Sequence, residues 1–183
     1  MMLVIVPLKQ YENTVSGVKK NFQNGWVMAG VFSFHQAERV KKILRKYKVQ
    51  YLFIGKSGAI LLGYSDTTQD ADIFVKKDLQ NTKYLVSALK ELGFNLDEKM
   101  KKDILRGKDF IQLHNGPFDL DLIFAPDGIE SFEDAWKRHL EIQGYPVCHP
   151  DDIIRSKEKA NRVKDRESLP RLKAFRDYWK KLQ

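Results

Sequence analysis

Apolar positions along this chain follow two rhythms, one of period about 3.6 and one of period 2. From Phe34 onward, Ala37, Val40, Ile43, Leu44 and Tyr47 recur at helical spacing with Lys and Arg on the opposite side, which predicts an amphipathic helix. Tyr51-Leu52-Phe53-Ile54 is a short β-rich run stopped by Gly55, the pattern of a buried strand. Ser57 to Tyr64 is small and apolar enough to be a helix packed closely on that strand, and Asp70 to Val75 alternates as a second strand. Tyr84, Leu85, Ala88, Leu89 and Leu92 mark the apolar face of another helix, with Gly93 as its stop. The Lys-rich stretch Asp97 to Lys108 reads as a short solvated helix and loop.

Two further strands are expected at Phe110–Leu113 and Phe118–Phe124. They are joined by His114-Asn115-Gly116-Pro117, where Asn-Gly predicts a tight turn with positive φ. Helical stretches follow near Ser131–His139 and Asp151–Asn161, and a last helix from about Ser168, an N-cap with Pro170 in the first turn. The first 33 residues read as an N-terminal extension, with a short strand at Leu3–Val6 and an apolar run from Trp26 to Phe32. This divides the chain into an extension (1–33), a core (34–130) and a helical, basic C-terminal segment (131–183) packed on the core.

Composition adds boundaries to that outline. With 183 residues, 43% hydrophobic and 31% charged, the chain can bury a core and is not disordered. No apolar run approaches the roughly 20 residues that span a bilayer, so no membrane role is expected. Met1 to Val6 is too short and lacks the basic flank of a secretion signal. A single cysteine, Cys148, rules out an internal disulfide framework and a Cys-rich zinc site. The expectation is a reduced, cytoplasmic, soluble protein. Of the net charge of +8, most sits between Arg155 and Gln183, where 11 Lys/Arg face 4 Asp/Glu. Such a tail suits phosphate-bearing partners, or else a solvated helix that keeps the chain soluble.

The informative chemistry is carboxylate. Asp70-Ala71-Asp72 on a strand puts two acids on one face about 7 Å apart, where they repel unless a cation lies between them. Asp119 and Asp121 repeat the spacing on a later strand. Two such strands side by side would offer hard oxygen ligands suited to Mg²⁺ or Mn²⁺, whereas on a solvent-facing sheet they would be merely solvated acids. Upstream, Gly55-Lys56-Ser57 falls between a strand and a helix, a place where backbone N–H groups meet anions. It is not a P-loop, because Gln50 stands where the first glycine is required. The four histidines have no metal spacing, and Trp136 and Trp179 sit among apolar neighbours as core residues.

Strand, small-residue turn, helix, D-x-D, then a third Asp on a later strand is a layout that resembles the nucleotidyltransferase fold of the DNA polymerase beta superfamily. Within it, the chain is similar to the minimal nucleotidyltransferases related to abortive-infection toxins. Gly55, Gly63, Thr68, Asp70 and Asp72 fall in that family's register, and Leu120-Asp121-Leu122-Ile123 matches its third carboxylate better than Asp119 does. Asp151 to Lys157, Arg162-Val163-Lys164-Asp165 and Leu169 to Leu172 resemble its C-terminal helices. Two positions depart: Lys56 stands where the family has a second Gly or Ser, and Asp66 where it frequently has Arg.

The resemblance implies an α/β fold of α+β type, a small mixed sheet flanked by helices with a helical C-terminal segment. It implies transfer of a nucleoside monophosphate from an NTP to an acceptor hydroxyl, with release of pyrophosphate. Asp70, Asp72 and Asp121 would be the catalytic and metal-binding carboxylates, holding Mg²⁺ or Mn²⁺. Gly55, Lys56, Ser57, Thr68, Lys157 and Lys164 would bind the nucleotide. The acceptor stays open: an RNA end, a protein or a small molecule, with an antitoxin as a further partner. Two rivals remain. A D-x-D also serves glycosyltransferases, but this chain has no room for their Rossmann-like half. The other is a catalytically degenerate module of the same fold that binds nucleic acid or a protein partner through the basic tail.

Overall fold

The computed structural model describes residues 31–182, so the expected strand at Leu3–Val6 and most of the Trp26–Phe32 run lie outside the described residues. Helix α1 (Phe34–Lys46) opens on a capping box. Ser33 accepts from the Gln36 N–H, and the Gln36 side chain accepts from the Ser33 N–H in return. Strand β1 (Tyr51–Phe53) leads directly into the short helix α2 (Gly55–Leu61), and β2 (Ala71–Val75) follows. Helix α3 (Leu79–Leu92) is capped by Asp78 and ends on Gly93 in the left-handed region, the stop expected of it. Then come α4 (Glu98–Leu105), β3 (Phe110–Leu113), β4 (Leu120–Ile123) and α5 (Phe132–Arg138). The chain closes with β5 (Leu140–Ile142), β6 (Tyr145–Val147), α6 (Pro150–Ala160) and α7 (Val163–Lys180).

The six strands form one mixed sheet in the order β3-β4-β2-β1-β6-β5. The β2–β4 and β1–β6 pairs are parallel and the other three antiparallel. Burial follows the apolar pattern: Leu52, Phe53, Ile73, Phe74, Leu120 and Leu122 in the central strands are almost wholly enclosed. Helix α1 packs on α3, with its Val40 and Leu44 buried, while α2 lies against β2 and α6. Gly58 lets α2 come close to β1 as well. A Cβ there would stand 3.0 Å from the Phe53 backbone.

Two sequence expectations are corrected and one hairpin is added. The β3–β4 hairpin forms, but its joint is not a positive-φ turn; neither Asn115 nor Gly116 has positive φ. Glycine is needed at 116 because a Cβ would run into the Phe94 ring, 2.2 Å from its Cδ1. The β5–β6 hairpin was not expected at all, yet Gln143 (φ 52) and Gly144 (φ 78) make its tight two-residue turn. Finally, α7 begins at Val163 rather than Ser168. Ser168 lies inside the helix with its hydroxyl donated to the Asp165 carbonyl, and Pro170 sits in the interior.

Candidate metal and nucleotide site

The parallel pairing of β2 with β4 sets Asp72 directly beside Asp121. Asp70 precedes the first residue of β2 by one position and completes the group. One carboxylate oxygen from each of the three lies within 4.8 Å of the others. Asp119, in contrast, precedes β4 and turns out toward His114, 3.1 Å away. The register therefore selects Asp121 over Asp119 for the cluster. Asp121 is 5% exposed, and its Oδ1 is buried without a hydrogen-bond partner among the described residues. A lone buried carboxylate oxygen is costly. Three converging carboxylates with one orphaned oxygen are the donor set that a hard divalent cation satisfies, so the residues present fit Mg²⁺ or Mn²⁺.

Electrostatics agree with that fit. Burial, then the neighbouring Asp70 and Asp121 charges, push the Asp72 carboxyl up to about 7, opposed by Lys157 and the Ser57 hydroxyl. Burial and Asp70 push Asp121 upward as well.

The small-residue turn holds this cluster from behind. Gly55 has φ +64, and a Cβ there would stand 2.6 Å from Asp72 Oδ2, so only glycine lets the carboxylate come this close. Ser57, expected to cradle phosphate, is wholly buried. Its hydroxyl donates to the Ile54 carbonyl (3.1 Å), accepts the Asp72 N–H (2.9 Å) and lies 3.3 Å from Asp72 Oδ2. Its structural task here is to position Asp72. Thr68 has a matching role on the other side, its hydroxyl reaching Asp70 Oδ1 at 3.0 Å.

The three acids line a cleft of about 560 Å³. Gly55, Lys56, Thr68, Lys157 and Lys164 line it too, so every expected site residue except Ser57 faces one cavity. Lys157 is held by Asp165 at 2.8 Å across the α6–α7 turn. Sequence reasoning missed Arg162 and Gln112, which also line the cleft. Gln112 stands opposite Asp121 in the β3–β4 register, and the alternation of Phe110-Ile111-Gln112-Leu113 was the available signal.

The basic tail is less open than its charge suggests. Six of its eleven cations form ion pairs within the chain: Arg155, Lys157, Arg171, Lys173, Arg176 and Lys180. Arg162 and Lys164, which make no ion pair among the described residues, turn toward the cleft.

No family model matches the chain, and no curated protein matches it. Among solved structures it is similar to the lincomycin-bound lincosamide antibiotic adenylyltransferase LnuA, with a TM-score of 0.54 and 15% identity over 78% of this chain and 98% of that one. At that identity the likeness is one of fold. The fold is nucleotidyltransferase-like. Nothing in the likeness singles out the abortive-infection toxins. Among the described residues no helix is long and apolar enough to cross a membrane.

Proposed function

We propose that the protein is a metal-dependent nucleotidyltransferase that moves a nucleoside monophosphate from an NTP to an acceptor hydroxyl and releases pyrophosphate. The observation that carries this reading is the convergence of Asp70, Asp72 and Asp121 in a cleft that Lys56, Lys157, Arg162 and Lys164 also line, alongside Asp109, Asp127 and Asp165. A divalent metal held there would supply charge neutralisation at the triphosphate and would lower the pKa of the acceptor hydroxyl. Asp70 in the turn before β2, Asp72 in β2 and Asp121 in β4 would hold it. Lys157 and Lys164, joined by Arg162, face the cleft where negative charge grows on the leaving pyrophosphate. Lys56 offers a fourth cation at the turn. Ser57 and Thr68 act by holding Asp72 and Asp70 in place.

A small-molecule hydroxyl is the acceptor class we favour over an RNA end or a protein. The fold likeness is to a protein described as an antibiotic adenylyltransferase. The pairing of six of the eleven tail cations within the chain reduces the basic surface open to a nucleic acid, and the same pairing weighs against a degenerate nucleic-acid-binding module. An antitoxin partner rests on the sequence resemblance alone, and a cytoplasmic setting on the composition with its single cysteine.

The test is thermal stability with each of the four NTPs, with and without Mg²⁺ or Mn²⁺, for the wild type and Asp70→Asn. Stabilisation that needs both metal and nucleotide, and is lost in the variant, supports the reading. No shift with any NTP at millimolar concentration overturns it.

A further inference from the structure

The two positions that depart from the family pattern, Lys56 and Asp66, meet in space. Lys56 lines the cleft beside Asp70 and Asp72, but its Nζ is turned back to Asp66 Oδ2 at 3.5 Å. Asp66 is not one of the cleft-lining residues. Its carboxylate also has a second cation, Arg171 of α7, at 3.8 Å, and its Oδ1 accepts the Thr67 N–H at 2.7 Å. Arg171 is fixed to the same loop by donating to the Ser65 carbonyl (3.1 Å) and lies over the Tyr64 ring. Asp66 is thus held at low pKa: burial pushes it up, but the Thr67 N–H, Lys56 and Arg171 together outweigh that.

We propose that Asp66 is the resting counter-ion of Lys56, and that a phosphate group entering the cleft draws the Lys56 ammonium away from it while Arg171 keeps Asp66 neutralised. The proposal rests on the reading of the cleft as a triphosphate site. A lysine on a flexible stem can make such an exchange, since its ammonium is a compact charge with rotatable donors. Without Arg171, releasing Lys56 would leave a partly enclosed carboxylate uncompensated, and the exchange would be opposed. Asp66 and Arg171 are therefore positioning residues that set how readily Lys56 meets phosphate. The pair of departures behaves as one unit: the added cation in the turn comes with its own restraint.

The experiment is titration of the full chain by calorimetry with inorganic tripolyphosphate in Mg²⁺, which reads the phosphate subsite without a base. The variants are Asp66→Asn, Lys56→Met, Arg171→Gln and the doubles with Asp66→Asn. Asn keeps the side-chain oxygen that Thr67 requires. Because a partly exposed ion pair is worth about 1 kcal/mol, Asp66→Asn should tighten binding by about two- to fivefold. That gain should disappear in the Lys56→Met background. Arg171→Gln should weaken binding in the wild type and have little effect once Asp66 is Asn. An Asp66→Asn gain that persists without Lys56, or no gain at all alongside tripolyphosphate binding by the wild type, overturns this proposal while leaving the triphosphate site intact. Failure of the wild type to bind tripolyphosphate and NTPs alike overturns both.

Discussion

Replacing Ser57 by Ala separates two roles for one hydroxyl, phosphate ligand and positioner of Asp72. The side chain is wholly buried, so water cannot take the place of the lost oxygen. On the acceptor side, the Asp72 N–H, 2.9 Å from Ser57 Oγ, loses that partner. On the donor side the Ile54 carbonyl keeps the Gly58 N–H at 2.9 Å, while Asp72 Oδ2 loses the hydroxyl 3.3 Å away. One buried N–H left without its acceptor costs about 1–3 kcal/mol. For a chain of this size that lowers the thermal midpoint by roughly 4–8 °C, taking about 2 kcal/mol as the centre of the range. The same hydroxyl holds the Asp72 carboxyl down, so its loss raises the pH at which the cluster takes up metal. Urea unfolding and Mn²⁺ titration across about pH 5–9 measure both effects. Unchanged stability and metal affinity, with a selective loss of NTP binding, would show that the hydroxyl serves phosphate and that the positioning argument is wrong.

The remaining predictions concern the cluster and its supports. Asp72 rises from an ordinary 3.8 to about 7, so between those values the folded chain holds a proton that the unfolded chain has lost. Metal-free stability therefore falls as pH rises through that window, and Mn²⁺ should restore it above pH 7; a flat metal-free profile in chemical denaturation would contradict the shift. Gly55→Ala places a Cβ 2.6 Å from Asp72 Oδ2 at a φ of +64. It should cost about 1–2 kcal/mol from the backbone alone and weaken Mn²⁺ binding, as urea unfolding and metal titration would show. Arg138→Ala removes the guanidinium that meets the buried Asp152 with two hydrogen bonds at 3.1 and 3.0 Å. A loss of about 3 kcal/mol is expected, partly offset by Arg155 at 3.4 Å, and Asp152→Asn in the Arg138→Ala background should recover part of it.

The elements that positioned the site were legible because their signals are local. Gly55 after a β-rich run, the D-x-D alternation and the Gly93 stop each state their structure within a few residues, and all three appear, with Asp70 one position ahead of the strand expected to hold it. Choosing Asp121 over Asp119 needed more, since both share a face in an ideal strand. What separates them is where β4 begins and which β2 residue it meets. The β5–β6 hairpin escaped notice because each strand is only three residues long and β6 contains Pro146. Only Gly144 announced the turn. Ser168 misled for a physical reason: serine is as competent at bonding backwards inside a helix as at capping one, and the choice went to the Asp165 carbonyl. The role of Ser57 was likewise hidden, because its burial depends on β2 arriving 15 residues later to meet it. The same holds for Lys56 and Asp66, whose pairing across the loop no sequence pattern displays.

The most direct test of the central claim is Mn²⁺ binding, read by electron paramagnetic resonance in the presence and absence of ATP, for the wild type, Asp121→Asn and Asp119→Asn. The account predicts binding by the wild type that nucleotide strengthens, unchanged behaviour in Asp119→Asn, and loss in Asp121→Asn although that variant folds. Absence of Mn²⁺ binding by the wild type, or equal damage from the two substitutions, would contradict it.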